Sequence, residues 1–374
     1  MNITVSKKDL VPALALAASV SAQKSTMAML GNVLLRASGE GLTVSATDLY
    51  VGTTQTINAT VTTPGCVALP ARDLLERVKL MPDGPVTIAN EDGKATLSAP
   101  GKGRTFRLYS DNGEDFPGLA ERKPDAPEVR IPCAELARIL LGALRCVDSD
   151  ESRAIACVRV RWGNGAVDAV ATNGKTLLSL NGAAPEASDP GAVLLPPKAA
   201  RELARMCEGK AGSVLLSPMW PWTFAGVEGV QLSIKHSHEL ATYPAVESAI
   251  PKGGSPVTIG RTALLDAIRV AVLAADSNKA ILLDIGKGGM RVSAECSKGD
   301  ACDVVPITWT KKDLGMAVDY TFMTNVLGAI PDGVDEFEIV IDGRLDPIQV
   351  KAPDLLGLLM PIDLSRGKEA TGKR

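Results

Sequence analysis

The strongest constraint on this chain is a long internal repeat. A short β-like segment leads into a helical stretch at Ile3-Thr4-Val5, again at Val129-Arg130-Ile131, and again at Val257-Thr258-Ile259. Val5 and Ile131 are 126 positions apart, and Ile131 and Ile259 are 128 apart. A second marker keeps the same period. Met81-Pro82-Asp83-Gly84 and Ile330-Pro331-Asp332-Gly333 each close a helical stretch, and Glu208-Gly209 lies between them. Gly84, Gly209 and Gly333 are separated by 125 and 124 positions. A solenoid unit repeats every 20–50 residues or so, so each copy here is a whole domain.

Each copy has two halves built alike. In the first copy a helix opens near Ser6, an N-cap type with Asp9 three residues on, and Pro12 falls early in it. Asn32–Arg36 and Leu42–Ala46 follow as strands, joined by Gly39-Glu40-Gly41, a hairpin signal. The second half repeats the plan with Val67–Leu69, a helix over Pro70–Met81, then Val86–Ile88 and Ala95–Ser98. Linkers rich in Pro or Gly separate the copies at Lys123–Pro127 and Pro251–Pro256. The expected fold class is α+β: three similar domains with two helices each and antiparallel sheets, over 1–123, 128–251 and 256–364, then a polar tail over 365–374.

The 374 residues are 45% apolar and 22% charged, which suits folded domains and excludes wholesale disorder. Aromatics make up only 3%, so aliphatic side chains must fill the cores. A net charge of −3 excludes a globally basic coat but allows a local basic face. Seven scattered cysteines with no CxxC read as reduced thiols, mostly buried, in a cytoplasmic protein. The N-terminus has no signal-peptide pattern, and no run of about 18 uncharged apolar residues exists to span a membrane.

The helices carry the most informative chemistry. Seven residues turn a helix through about 700°, so positions seven apart share a face. Arg72 and Lys79 are so placed, opposite Leu74, Leu75, Val78 and Met81. Arg138 and Arg145 repeat the spacing opposite Leu140, Ala143 and Leu144. Lys198, Arg201 and Arg205 form a third stripe opposite Ala200, Leu203 and Cys207. Most amphipathic helices have a solvated polar face, but recurrence in three helices favours a surface for a polyanion. The third copy does not join in: Arg261 and Arg269 are eight apart, and the helix from Tyr320 to Leu327 has no basic residue.

Catalytic motifs fail on inspection. Gly174-Lys175-Thr176 ends like a phosphate-binding loop, but Ala169 stands where that motif needs glycine. The acids Asp148, Asp150 and Glu151 have Arg153 where a calcium loop needs glycine. His236 and His238, the only histidines, read as alternating on an exposed strand with no third ligand but Glu239. No cofactor or metal is expected, and no enzyme.

Several local patterns, in order along the repeat, resemble the bacterial DNA polymerase III beta subunit, the beta sliding clamp. They are Met29-Leu30-Gly31-Asn32, Ala46-Thr47-Asp48-Leu49, Leu69-Pro70-Ala71-Arg72, Asp115-Phe116-Pro117, Ala171-Thr172-Asn173-Gly174, Tyr243-Pro244 with Ile250-Pro251, and Leu359-Met360-Pro361-Ile362. The resemblance runs from residue 1 to about 364. It implies a processivity factor without catalytic activity: a head-to-tail homodimer closing a six-domain ring, with helices lining the hole and sheets outside.

The resemblance further implies that Lys24, Arg72, Lys79, Arg138, Arg145, Lys198, Arg201 and Arg205 face double-stranded DNA without sequence preference. Phe106 and Leu108 match one side of the subunit interface, and Val272 and Leu273 the other. A partner-peptide groove for the polymerase III alpha subunit, the clamp loader and other motif-bearing proteins would use Ile155, Thr172, Gly174, Lys175, Thr176, Leu177, Pro244, Ser248, Ala249, Leu358, Met360, Pro361 and Ile362. Such tethering raises the polymerase's effective concentration at the primer end. The chain departs from the family at Lys175-Thr176, where His-Arg is usual, and at Ser248 and Asp363, where arginine is usual. The main alternative is a peptide-binding scaffold on the same fold that does not load on DNA. The other is an enzyme built around the acids at 148–151, which predicts lost activity when those acids become alanine.

Overall fold

The computed structural model describes residues 1–363. The polar tail expected over 365–374 lies outside the described residues. The chain divides into two compact units: Met1–Ala137 with Lys198–Ser237, and Arg138–Pro197 with the stretch from His238 onward.

All six expected helices are present: α1 (Lys7–Val20), α2 (Ala71–Leu80), α3 (Cys133–Ala143), α4 (Pro197–Cys207), α5 (Arg261–Val272) and α6 (Tyr320–Gly328). Their first residues recur at close to the repeat seen in the sequence. Ser6 stands at the N-cap of α1 but makes no side-chain cap bond. Pro12 lies beyond the first turn, on the exposed side of α1, where the carbonyl it leaves unbonded can reach water. Asp319 does cap α6, its carboxylate accepting from the Thr321 and Phe322 amides.

In the first unit, a five-stranded antiparallel sheet runs in the order Ala59–Thr63, Asn2–Ser6, Pro85–Glu91, Lys94–Ala99, Lys102–Tyr109. A nine-stranded sheet runs Asp111–Asn112, Gly65–Pro70, Asn32–Ser38, Gly41–Thr47, Val51–Ile57, Val230–Lys235, Trp222–Val227, Ser213–Met219, Val129–Pro132. Helices α1 and α2 seal one core from Leu10, Leu14 and Ala17 on α1, Leu74 and Val78 on α2, and Val33, Leu35 and Val44 from the strands. The hairpin at Gly39–Gly41 forms as expected. Gly41 sits at φ +122°, and a Cβ there would come within 2.6 Å of the Ile57 carbonyl oxygen, so glycine is required.

In the second unit, an eight-stranded sheet runs Gly191–Leu195, Val158–Gly163, Ala166–Thr172, Thr176–Ala183, Leu355–Leu359, Ile348–Ala352, Glu336–Ile341, Ser255–Gly260. A four-stranded sheet runs Gly299–Val305, Gly289–Cys296, Ala280–Gly286, Leu314–Asp319, with α5 packed on its first two strands.

Each large sheet contains a seam between strands distant in sequence, and the two seams match in register. In the first unit Gly52 pairs with Ser233. In the second Leu177 pairs with Leu358, each partner 125 positions further on. The turns beside the seams match too. Thr47 Oγ1 donates to the Val51 carbonyl at 3.0 Å and Asp48 Oδ1 accepts from the amides of Tyr50 and Val51. Thr172 Oγ1 donates to the Thr176 carbonyl at 2.7 Å and Asn173 Oδ1 accepts from the amides of Lys175 and Thr176. These side-chain bonds mimic a backbone turn, which is why Asp and Asn recur there.

Two expectations are corrected. Arg145 is not on α3: the helix ends at Ala143, and Arg145 donates to the Gly142 carbonyl in a tightened turn. His236 and His238 follow the strand Val230–Lys235 rather than alternating within it. His236 Nε2 lies 2.9 Å from Thr223 Oγ1 and its ring stacks on Trp220, while His238 Nε2 lies 3.1 Å from the Glu151 carbonyl. All seven cysteines are free thiols: Cys133, Cys146, Cys157 and Cys207 are buried, Cys66 and Cys296 are half-buried, and Cys302 is exposed.

Candidate functional site

The second unit holds a cavity of about 410 Å³ on one face of its large sheet. Its floor grows from strand alternation. Val158 and Val160 point into the core, so Cys157 and Arg159 point the other way. Cys157, Val170, Leu177, Leu194 and Leu358 form an apolar bed, and Tyr243 and Val246 pack onto it. Burial pushes the Cys157 thiol up to about 11, so it is a poor nucleophile there. Burial likewise raises the Tyr243 hydroxyl, which donates to the Val170 carbonyl at 3.3 Å.

One rim is the turn at residues 172–176. Gly174 takes φ +81°, which presents Lys175 at the cavity edge with its ammonium 5.8 Å from the Phe322 ring centre. The Lys175 carbonyl accepts from the Met360 amide at 2.9 Å, locking the rim to the final strand. The opposite wall is a single 3-10 turn, Val246–Ala249. Glu247 on this turn receives Arg159 Nη2 at 2.7 Å and Arg161 Nη1 at 2.8 Å. The hydrogen bond from Arg159 holds the Glu247 carboxyl below its ordinary value. Arg159 is only 7% exposed and its guanidinium stacks 5.5 Å from the Tyr243 ring centre. At the mouth, Arg153 pairs with Asp148 at 2.6 Å. The acids at 148–151 thus serve the loop, Asp150 accepting from the Ser152 amide and hydroxyl.

Of the expected groove residues, Ile155, Thr172, Gly174, Lys175, Thr176, Leu177, Pro244, Ser248, Ala249, Leu358 and Met360 line this cavity. Pro361 and Ile362 do not; the Ile362 amide instead donates to the Ala317 carbonyl at 2.7 Å. Arg153, Ala245, Val246 and Pro347 also line it and were not anticipated. The polar anchors are few and the bed is apolar, an arrangement suited to a short extended peptide with apolar side chains.

The expected basic residues have distinct surroundings. Lys24, Arg72, Lys79, Arg145, Arg201 and Arg205 are exposed. Lys79 pairs with Glu76 at 2.9 Å and Arg205 with Glu202 at 3.1 Å. Lys198 is half-buried and donates to Asp48 and to the Val20 carbonyl, both at 2.6 Å. Arg138 is half-buried and donates to the Asn181 carbonyl. The Arg145 guanidinium lies over Gly328, where a Cβ would come within 2.7 Å of it.

The sequence profile of the DNA polymerase III beta subunit, N-terminal domain, matches residues 1–120. A beta sliding clamp of Synechocystis is 29% identical over 312 residues, spanning 77% of this chain and 79% of the relative. A beta sliding clamp of Pseudomonas aeruginosa is 26% identical over 359 residues, spanning 91% and 93%. The crystal structure of the DNA polymerase III beta subunit from Thermotoga maritima superposes with a TM-score of 0.89 over 97% of this chain and 99% of that one, at 20% identity. Along most of its length the chain is similar to beta sliding clamps.

Two further groups of residues were expected from the sequence at a subunit interface. Phe106 and Leu108 lie on Lys102–Tyr109, the outermost strand of its sheet; Leu108 is buried and Phe106 packs half-buried against the same core. Val272 ends α5 and is half-buried, whereas Leu273 just beyond it is 85% exposed. The Arg159–Glu247 pair behind the groove gives no signal in the sequence: the two are 88 positions apart, so only the folded chain brings them together.

Proposed function

We propose that this chain is a DNA sliding clamp: two copies close head to tail around duplex DNA and tether a replicative polymerase and other partners to it. The observation that carries this reading is the full-length correspondence to beta sliding clamps, joined to a seam that repeats in register 125 residues apart. The repeat supports three clamp domains over 1–123, 128–251 and 256–364. The role is non-catalytic, as in the family it resembles, and belongs in the cytoplasm. No helix among the described residues is long and apolar enough to cross a membrane.

In this reading the exposed cations Lys24, Arg72, Arg145 and Arg201 attract phosphates directly. Lys79 does so from within a surface ion pair and Arg205 while paired with the buried Glu202, and Lys198 and Arg138 chiefly brace the fold. Contacts of this kind are sequence-independent and salt-sensitive, which permits sliding. The cavity beside Lys175 and Met360 takes partner peptides. The outer strands Lys102–Tyr109 and Gly299–Val305 supply unpaired edges for the head-to-tail contact, a heterologous interface that must close on itself.

The intramolecular engagement of Lys198 and Arg138 favours a second reading, a peptide-binding scaffold that does not load on DNA. Primer extension separates the two. With the polymerase and loader from the same cell, on a singly primed circular template, the clamp lengthens the product of a single binding event. A scaffold leaves product length unchanged while still binding polymerase.

A further inference from the structure

The wall of the cavity is a weak element fastened by a few side chains, and a single carboxylate makes its polar attachment. The turn Val246–Ala249 is a single 3-10 turn whose backbone bonds are short-range: Val246 to Pro244, Ser248 to Ala245, Ile250 to Glu247. Such turns have little stability of their own. Four side chains fasten it to the sheet. Tyr243, Val246 and Ile250 pack on the apolar bed, and Glu247 receives both Arg159 and Arg161. Arg161 is braced from the other side by Asp168 at 3.0 Å.

We propose that Glu247 is the positioning residue of this cavity: its pairing with Arg159 and Arg161 holds the 243–250 segment against the sheet and so fixes the depth of the groove. The inference rests on the peptide-groove reading above for its biological use, but the anchoring can be read without any peptide.

The physical case lies with Arg159. Its guanidinium is buried under the Tyr243 ring, and its Nε has no hydrogen-bond partner among the described residues. Among the described residues Glu247 is the one carboxylate paired with it, so without Glu247 a buried charge is left uncompensated. Arg161 by contrast is half-exposed and has Asp168 in reserve. The accessible relief for Arg159 is to swing toward water. That movement displaces Tyr243 and Val246, and the bed beneath them, including Cys157 at 2% exposure, becomes accessible.

Cys157 is therefore the reporter and Cys146, at 1% exposure and with its own thiol pushed up to about 11 by burial, is the control. The full-length protein is treated with N-ethylmaleimide under native conditions, and labelling of each cysteine is followed by peptide mass spectrometry. Glu247→Gln is expected to raise the Cys157 rate about tenfold or more through local opening, with Cys146 unchanged. Glu247→Asp, which keeps the charge, should restore most of the protection, and Arg161→Gln should have a smaller effect than Glu247→Gln. In parallel, a fluorescein-labelled, leucine-rich pentapeptide is titrated into each variant; Glu247→Gln should weaken it about tenfold. Unchanged Cys157 labelling, or Cys157 and Cys146 rising together, overturns the proposal. A selective rise at Cys157 in a protein whose wild type binds no such peptide supports the anchor and counts against the peptide reading alone.

Discussion

Met360 donates its backbone amide to the carbonyl of Lys175 at 2.9 Å, closing the rim of the groove. The same bond exists one repeat earlier, from Lys235 to Tyr50 at 2.7 Å. The two seams are alike in backbone and differ in side chains. Where Leu177 and Leu358 form an open apolar bed, Gly52 and Ser233 pair, and Leu119 occupies the space above Gly52. One backbone plan thus yields a cavity in one place and a filled surface in another.

The filled seam predicts an asymmetry. A Cβ on Gly52 would lie 2.5 Å from Ser233 Oγ and 2.9 Å from Leu119 Cδ2. Gly52→Leu, which imports the residue found at 177, should therefore destabilise the chain by about 1–3 kcal/mol through overpacking. Chemical denaturation of the full-length protein reads this directly.

Met360 is 42% exposed at the cavity edge, so little packing is lost on truncation. Met360→Ala should change stability by less than about 0.5 kcal/mol. It should nevertheless reduce polymerase stimulation several-fold. Melting temperature and primer-extension length, measured on the same preparation, check both halves.

Arg72 and Arg201 are exposed on α2 and α4. If each neutralises one phosphate, replacing both with glutamine should lower the slope of log affinity against log salt by at most about 1.8, since each contact contributes roughly 0.9. Lys198→Gln should behave differently, costing folding stability because it leaves the half-buried Asp48 without its partner. Salt titrations of duplex binding distinguish the two classes.

Leu273→Asp should produce monomers without lowering the stability of the protomer, because that side chain is almost wholly exposed. Leu108→Ala should instead destabilise the protomer by about 2–5 kcal/mol, since Leu108 belongs to a core. Sedimentation velocity and denaturation, taken together, test the pair.

Acid should loosen the groove wall. Glu247 has its folded value held below the ordinary one, chiefly by the Arg159 hydrogen bond, while the unfolded chain keeps the ordinary value near 4.5. Its contribution is therefore present in full above that value and disappears as pH falls through the lower folded value. Arg159 and Arg161 are the charged groups that face it, and Asp168 braces Arg161 from the other side. Half-exposure limits the contribution to about 1 kcal/mol or less. Melting temperature followed from pH 6 to 3 should fall less steeply in Glu247→Gln than in wild type, where other carboxylates still titrate.

The sequence carried the repeat and the helices because local chemistry sets them, whereas the groove residues followed from the resemblance to sliding clamps. The turn over residues 172–176 bonds to itself, so its shape follows from adjacent residues. Arg145 fell outside α3 because the last turn tightens after Gly142, which shifts the side chain out of the seven-residue phase. Ile362 left the groove because its amide found the Ala317 carbonyl on a neighbouring strand. Arg159 and Glu247 gave no sign at all, since alternating charge on a strand reads as a solvated face until Tyr243 covers it.

The most direct test of the clamp reading is topological. The protein is assembled on nicked circular DNA with its loader and ATP, the complex is isolated, and half is cut once with a restriction enzyme. An encircling ring stays on the circles and runs off the linear molecules. Equal retention on circular and linear DNA would contradict the account and mark the protein as a surface-binding protein.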